Sequence, residues 1–137
     1  MSGSDEPFDV VVVGARCAGA PTAMLLAKRG YRVLVVDRAE FPADTISTHL
    51  VHPPGVAALE RWGLLDQVVV SGCPGIHTYS YDFGSVRIEG APGTDEAPAA
   101  YAPRRTVLDH LLIKAAQAVG ADVRQAFSVE SPLVEDG

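Results

Sequence analysis

Val10-Val11-Val12-Val13-Gly14-Ala15-Arg16-Cys17-Ala18-Gly19 leads into Ala20 to Gly30, and then into Val33-Leu34-Val35-Val36-Asp37. Four consecutive valines are β-branched and carry no polar break, which predicts a strand buried on both faces. Gly14 to Gly19 is a turn bounded by glycines. Ala18 to Arg29 is built of helix formers, with Ala23, Leu26 and Ala27 at core spacing. Pro21 falls in the first turn, where a missing N–H is tolerated. Gly30 ends that helix. Val33 to Val36 reads as a second strand, closed by Asp37. Strand, helix, strand in this order implies two parallel strands joined by a helical crossover, and so an α/β fold.

Each part of this stretch has a physical job at a phosphate. Gly14 permits a tight turn out of the strand. Gly19 lets the helix pack closely on the sheet. The helix N-terminus presents free N–H groups and a partial positive charge to a pyrophosphate, with Ala15 and Ala18 in the turn between. Asp37 lies 23 positions after Gly14, where a carboxylate accepts hydrogen bonds from a ribose. The register of all these parts predicts Rossmann-like dinucleotide binding. One position departs from the pattern: Arg16 stands where the middle glycine brings backbone close to phosphate. Its side chain must point away or lie along the phosphates as an extra cation.

Working outward, residues 1–8 read as a loose tail and 9–137 as the N-terminal portion of one domain. Phe41 to Pro53 reads as loop. Pro54 opens a helix to about Gln67, with Gly63 as a weak point and Val68-Val69-Val70 as an alternative strand. Tyr79 to Ile88 alternates as two short strands around Asp82-Phe83-Gly84-Ser85, a small β excursion from the main sheet. Ala91 to Ala100, with two prolines and two acids, reads as a flexible loop. Thr106-Val107-Leu108-Asp109 has the form of a capping box before a helix ending at Gly120. Ala121 to Val129 reads as another strand. Asp136-Gly137 is a hairpin-turn dipeptide with no strand after it, so the strand near Val134 is expected to lack its partner and the domain to be incomplete at its C-terminus.

The composition excludes several classes. The chain has 137 residues, 47% hydrophobic and 20% charged, which is the composition of a folded domain. A net charge of −6 argues against nucleic acid or an anionic membrane as partner. The longest apolar run, Val10 to Ala27, contains Arg16, two glycines and Pro21, so it predicts no membrane span. Two cysteines, Cys17 and Cys73, are too few for a disulfide scaffold, and the acidic N-terminus is unlike a secretory signal; a cytoplasmic location is the expectation. His49, His52, Cys73 and His77 fit no strong zinc pattern, and no metal is expected.

Val10 to Asp37 resembles the extended fingerprint of FAD-binding proteins. Pro54 to Asp66 resembles the helix of FAD-dependent monooxygenases of the p-hydroxybenzoate hydroxylase type, the group A flavoprotein monooxygenases. Arg104-Arg105-Thr106-Val107-Leu108-Asp109 resembles the start of their next helix. Geranylgeranyl reductases and flavin halogenases share this architecture. The resemblance implies an FAD cofactor, NAD(P)H as electron donor and a small organic substrate. It implies that Asp37 binds the adenosine ribose and that Arg38 lies beside adenine or ribose. It implies that Thr45 to Leu50, with Ser47 and Thr48, passes the pyrophosphate and flavin, and that Arg105 contacts the cofactor. It also implies that a later Gly-Asp segment and a substrate domain belong to the complete enzyme. No catalytic residue is assigned, because the flavin carries the redox chemistry. The alternatives are a geranylgeranyl-reductase-like alkene reductase, an NAD(P)-dependent dehydrogenase and a nucleotide-binding module without catalysis.

Overall fold

A computed structural model describes residues 6–134. The chain divides into two compact units, one formed by residues up to Ala43 together with those from Asp109 onward, the other by Asp44–Leu108.

The first unit holds the parallel sheet. Strand β1 (Val10–Val13) pairs in parallel with β2 (Val33–Val36), from Val10↔Val33 to Val13↔Val36. Helix α1 (Gly19–Lys28) connects them and packs on both. It closes in a Schellman arrangement: Gly30 at φ +90° donates to the Ala27 carbonyl, and Tyr31 to Leu26. Pro21 is buried in the first turn, as its sequence position predicts. A short strand, β7 (Asp122–Arg124), pairs in parallel with the other side of β2. The sheet order is therefore β1-β2-β7.

Two expectations fail here. The first strand is not buried on both faces: Val11 and Val13 are 57% and 66% exposed. Val12 faces α1, and the alternate residues point to the uncovered face. The last strand stops at Arg124, not Val129. Ala126 adopts φ +53°, which breaks the extended backbone, and no strand is present from 127 to 134. The expected strand near Val134 is thus absent, and Asp136-Gly137 lies outside the described residues.

The second unit packs α2 (Pro53–Arg61) against α3 (Leu65–Val70). The single helix expected to Gln67 breaks at Gly63, at φ +70°, and Val68 to Val70 are helical. Strand β3 (Gly75–Ile76) pairs antiparallel with β6 (Ala100–Tyr101), and β4 (Tyr79–Asp82) with β5 (Arg87–Gly90). The latter hairpin is the predicted excursion. The segment expected to be a flexible loop is partly core. Ala97, Ala99 and Ala100 are buried, and Ala97 clusters with Val56 and Ala57. Small side chains let this irregular backbone lie flat, and a Thr94–Ala97 turn satisfies its polar groups.

Helix α4 (Arg105–Ala118) contributes to both units. It does not begin with the expected capping box. The Arg104 carbonyl already accepts the N–H groups of Val107 and Leu108, at 2.9 and 3.0 Å. Thr106 therefore sits inside the first turn. Asp109 is fully buried and bonds elsewhere. A buried carboxylate gains more from a charged partner than from a local backbone N–H.

Candidate functional site

The site in the first unit grows from the end of β1. Gly14 donates to the Val36 carbonyl at 2.7 Å, so the chain leaves the sheet level with the end of β2. Gly14 has φ +100°, a conformation that L side chains resist. Gly19 is needed for another reason: a Cβ there would lie 1.7 Å from the Gly14 carbonyl oxygen. The two glycines let strand and helix approach to backbone contact. No side chain caps α1 and no acid stands in its first turn. Its N-terminal field is left for an anion.

Asp37 is 8% exposed, and its carboxylate is tied twice. Oδ2 accepts the Ala15 N–H at 2.7 Å and Oδ1 accepts the Ala39 N–H at 2.8 Å. A carboxylate offers about four lone-pair positions, so roughly two remain for hydroxyl donors. Asp37 thus clamps the turn to β2 and keeps capacity for a ribose. Its backbone holds the opposite wall: Asp37 donates to the Arg124 carbonyl, and Phe127 donates to the Asp37 carbonyl.

Arg16 is the departure from the glycine pattern, and its side chain is anchored at two places. Nη1 donates to Asp109 Oδ2 at 2.7 Å, and the guanidinium carbon lies 5.1 Å from the centre of the Phe41 ring. Cys17 Sγ donates to Asp109 Oδ1 at 3.3 Å. A cleft of about 360 Å³ opens beside these groups. Gly14, Arg16, Asp37 and Arg38 line one side, and Phe127, Ser128 and Val129 the other. Ala18 is exposed at the head of α1, where its carbonyl accepts the Thr22 hydroxyl at 2.8 Å. The free space at Gly14, the uncapped helix and the spare lone pairs of Asp37 fit an adenosine diphosphate group.

The other sequence-predicted residues lie in the second unit. Ser47 is half-buried, its Oγ accepting the His49 N–H at 3.1 Å, and Thr48 is exposed. Arg105 is half-buried at the first position of α4. Arg104 is committed to an ion pair with Asp44. That hydrogen bond, foremost, holds the Asp44 carboxyl below its ordinary range. Asp44, Thr45, Ile46, His49 and Arg104 line an open cleft of about 530 Å³. His49 is held at φ +59°, and its Nδ1 is buried without a hydrogen-bond partner among the described residues. The sequence reading attached no such strain to this position.

Asp109, Phe41 and the Phe127–Val129 wall are the site residues that the sequence reading missed. A signal for Asp109 was present: an acid flanked by Leu108, Leu111 and Leu112 needs a partner to be buried. The wall had none, because Phe127 and Val129 read as ordinary strand residues.

Known proteins share the family and the fold of this chain. The family model described as "FAD binding domain" matches residues 7–137. The chain is 34% identical over 108 residues to the 6-methylpretetramide 4-monooxygenase of Streptomyces rimosus, covering 79% of this chain and 19% of that protein. It is 45% identical over 60 residues to the menaquinone reductase of Mycobacterium tuberculosis, covering 44% and 15%. The myxobacterial chondrochloren halogenase superposes with a TM-score of 0.81 at 25% identity, covering 93% of this chain and 30% of that structure. The chain therefore spans less than a third of the length of each of these three relatives.

Proposed function

Because this chain belongs to the FAD binding domain family, we propose that it holds the adenosine and pyrophosphate end of FAD in an NAD(P)H-dependent monooxygenase acting on a small organic substrate. The observation that carries the reading is the Asp37 carboxylate, buried at the end of β2, fastened to Ala15 and still open to ribose hydroxyls. The flavin, when bound, supplies the redox chemistry with molecular oxygen. The chain's own residues bind and orient it. Gly14, Ala15, Ala18 and Gly19 form the backbone bed for the pyrophosphate, with Arg16 beside it. Asp37 and Arg38 face the ribose and adenine. Ser47, Thr48 and Arg105 serve the flavin side. On this reading residues 9–137 are the N-terminal portion of the FAD-binding domain, and the cytoplasm is the proposed location. No helix among the described residues is long and apolar enough to cross a membrane.

A second reading, an alkene or quinone reductase, draws on the local identity to a menaquinone reductase. Family membership favours FAD over NAD(P) in this cleft and so weighs against a dehydrogenase. The test has two parts. FAD titrated into the chain should show saturable fluorescence quenching, and no binding would reject the cofactor role. The full-length protein, supplied with NAD(P)H, should consume oxygen in a substrate-dependent manner. Substrate reduction without oxygen uptake would favour the reductase.

A further inference from the structure

We propose that Asp109 is a positioning residue for the pyrophosphate: its buried carboxylate fixes the Arg16 guanidinium at the mouth of the cleft, where it meets a diphosphate. The proposal rests on the dinucleotide reading above. Asp109 has no exposed surface, yet it carries a carboxylate on a helix otherwise rich in leucine. An acid is kept in such a place only when strongly bonded. Two of its bonds go to adjacent side chains of one turn, Arg16 at 2.7 Å and Cys17 at 3.3 Å, 93 and 92 residues away in sequence. It therefore ties α4 to the phosphate-binding turn.

The consequence follows from Arg16's position. A residue with a side chain, where backbone must approach phosphate, obstructs unless that side chain is drawn aside. Asp109 and the Phe41 ring draw it aside. The side chain nonetheless stays 29% exposed and lines the cleft. A guanidinium has five N–H donors, so the bond to Asp109 leaves others for an anion. The pair is neutral overall. Arg16 then contributes aimed hydrogen bonds more than net charge, and aim depends on Asp109.

The experiment compares ADP with adenosine as calorimetric ligands of the chain and of Asp109→Asn, Arg16→Gln and the double variant. Asp109→Asn is isosteric and removes the charge that orients the guanidinium. ADP affinity should fall about tenfold in each single variant, adenosine affinity should stay within about twofold, and the double variant should be no worse than Arg16→Gln. Equal losses for ADP and adenosine would make Asp109 merely structural and overturn the proposal. So would additive losses in the double variant, or ADP binding unchanged in Asp109→Asn. If Asp109→Asn does not fold, Arg16→Gln decides: an unchanged ADP-to-adenosine ratio refutes the role. Wild-type chain that binds neither ligand defeats the dinucleotide reading itself, and this proposal with it.

Discussion

Asp37 shows how one side chain holds a turn together and, in the proposed function, serves a ligand as well. Its replacement by alanine leaves the Ala15 N–H without its acceptor and removes the proposed ribose acceptor. FAD binding by apo-protein should weaken by about 1–3 kcal/mol, the usual cost of an unsatisfied polar partner; unchanged affinity in a fluorescence titration would reject the assignment. Asp44 makes a different kind of prediction. Its folded-state pKa is depressed, chiefly by the Arg104 hydrogen bond. A depressed carboxylate contributes stability above its unfolded pKa and loses it as pH falls through the folded one. The Asp44 carboxyl should therefore titrate below the ordinary aspartate range by NMR and return towards it in Arg104→Gln. A normal titration in the parent protein would contradict the pair.

Among the elements, the two crossover glycines separate steric from conformational constraint. Gly19→Ala drives a methyl into the Gly14 carbonyl, and backbone on both sides has no room to yield. Gly30→Ala meets nothing within 4 Å but must adopt φ +90°. Urea unfolding should show a loss of at least about 2 kcal/mol for Gly19→Ala. Gly30→Ala should cost about 1–2 kcal/mol. Similar small effects for both would mean that strand and helix do not touch as described. The β1-α1-β2 crossover was legible in the sequence because local rules decide it: β-branched runs, positive-φ glycines and an early proline all agree. The failures share a different cause. Asp109 was read against its own helix start, when Arg16 and Cys17, which it bonds, stand 93 and 92 residues upstream. The alanines at 97, 99 and 100 were read as loop, when Ala97 packs on a neighbouring helix, Ala99 lies against Gly75 and Ala100 pairs with Ile76. The exposed side of β1 depends on what covers a sheet face, which four valines in a row do not encode.

For the chain as a whole, the net charge of −6 opposes the approach of an anionic dinucleotide, although the cleft is lined by Arg38 and by Arg16, whose charge Asp109 balances. Long-range repulsion is screened within a Debye length of about 10 Å at 0.1 M salt, whereas contacts in the cleft are shorter than that. Added salt should therefore raise the association rate of FAD, read by stopped-flow quenching. A rate that falls with salt would show that the local basic groups dominate the encounter.

The partner of β2 also sets a timetable for the growing polypeptide. Leu34, Val35 and Val36 find their second neighbour only at Asp122–Arg124, and Arg16 finds Asp109 late as well. At a synthesis rate of roughly 5–20 residues per second, the ribosome needs roughly 4–17 s to travel between the two pairing strands. During that interval β2 has one flank open, whereas Asp44–Leu108 is continuous and can condense as it emerges. Nascent chains arrested before Asp122 should leave β1 and β2 sensitive to protease and the later segment protected. Early protection of the valine strands would mean that the crossover stands without its third strand.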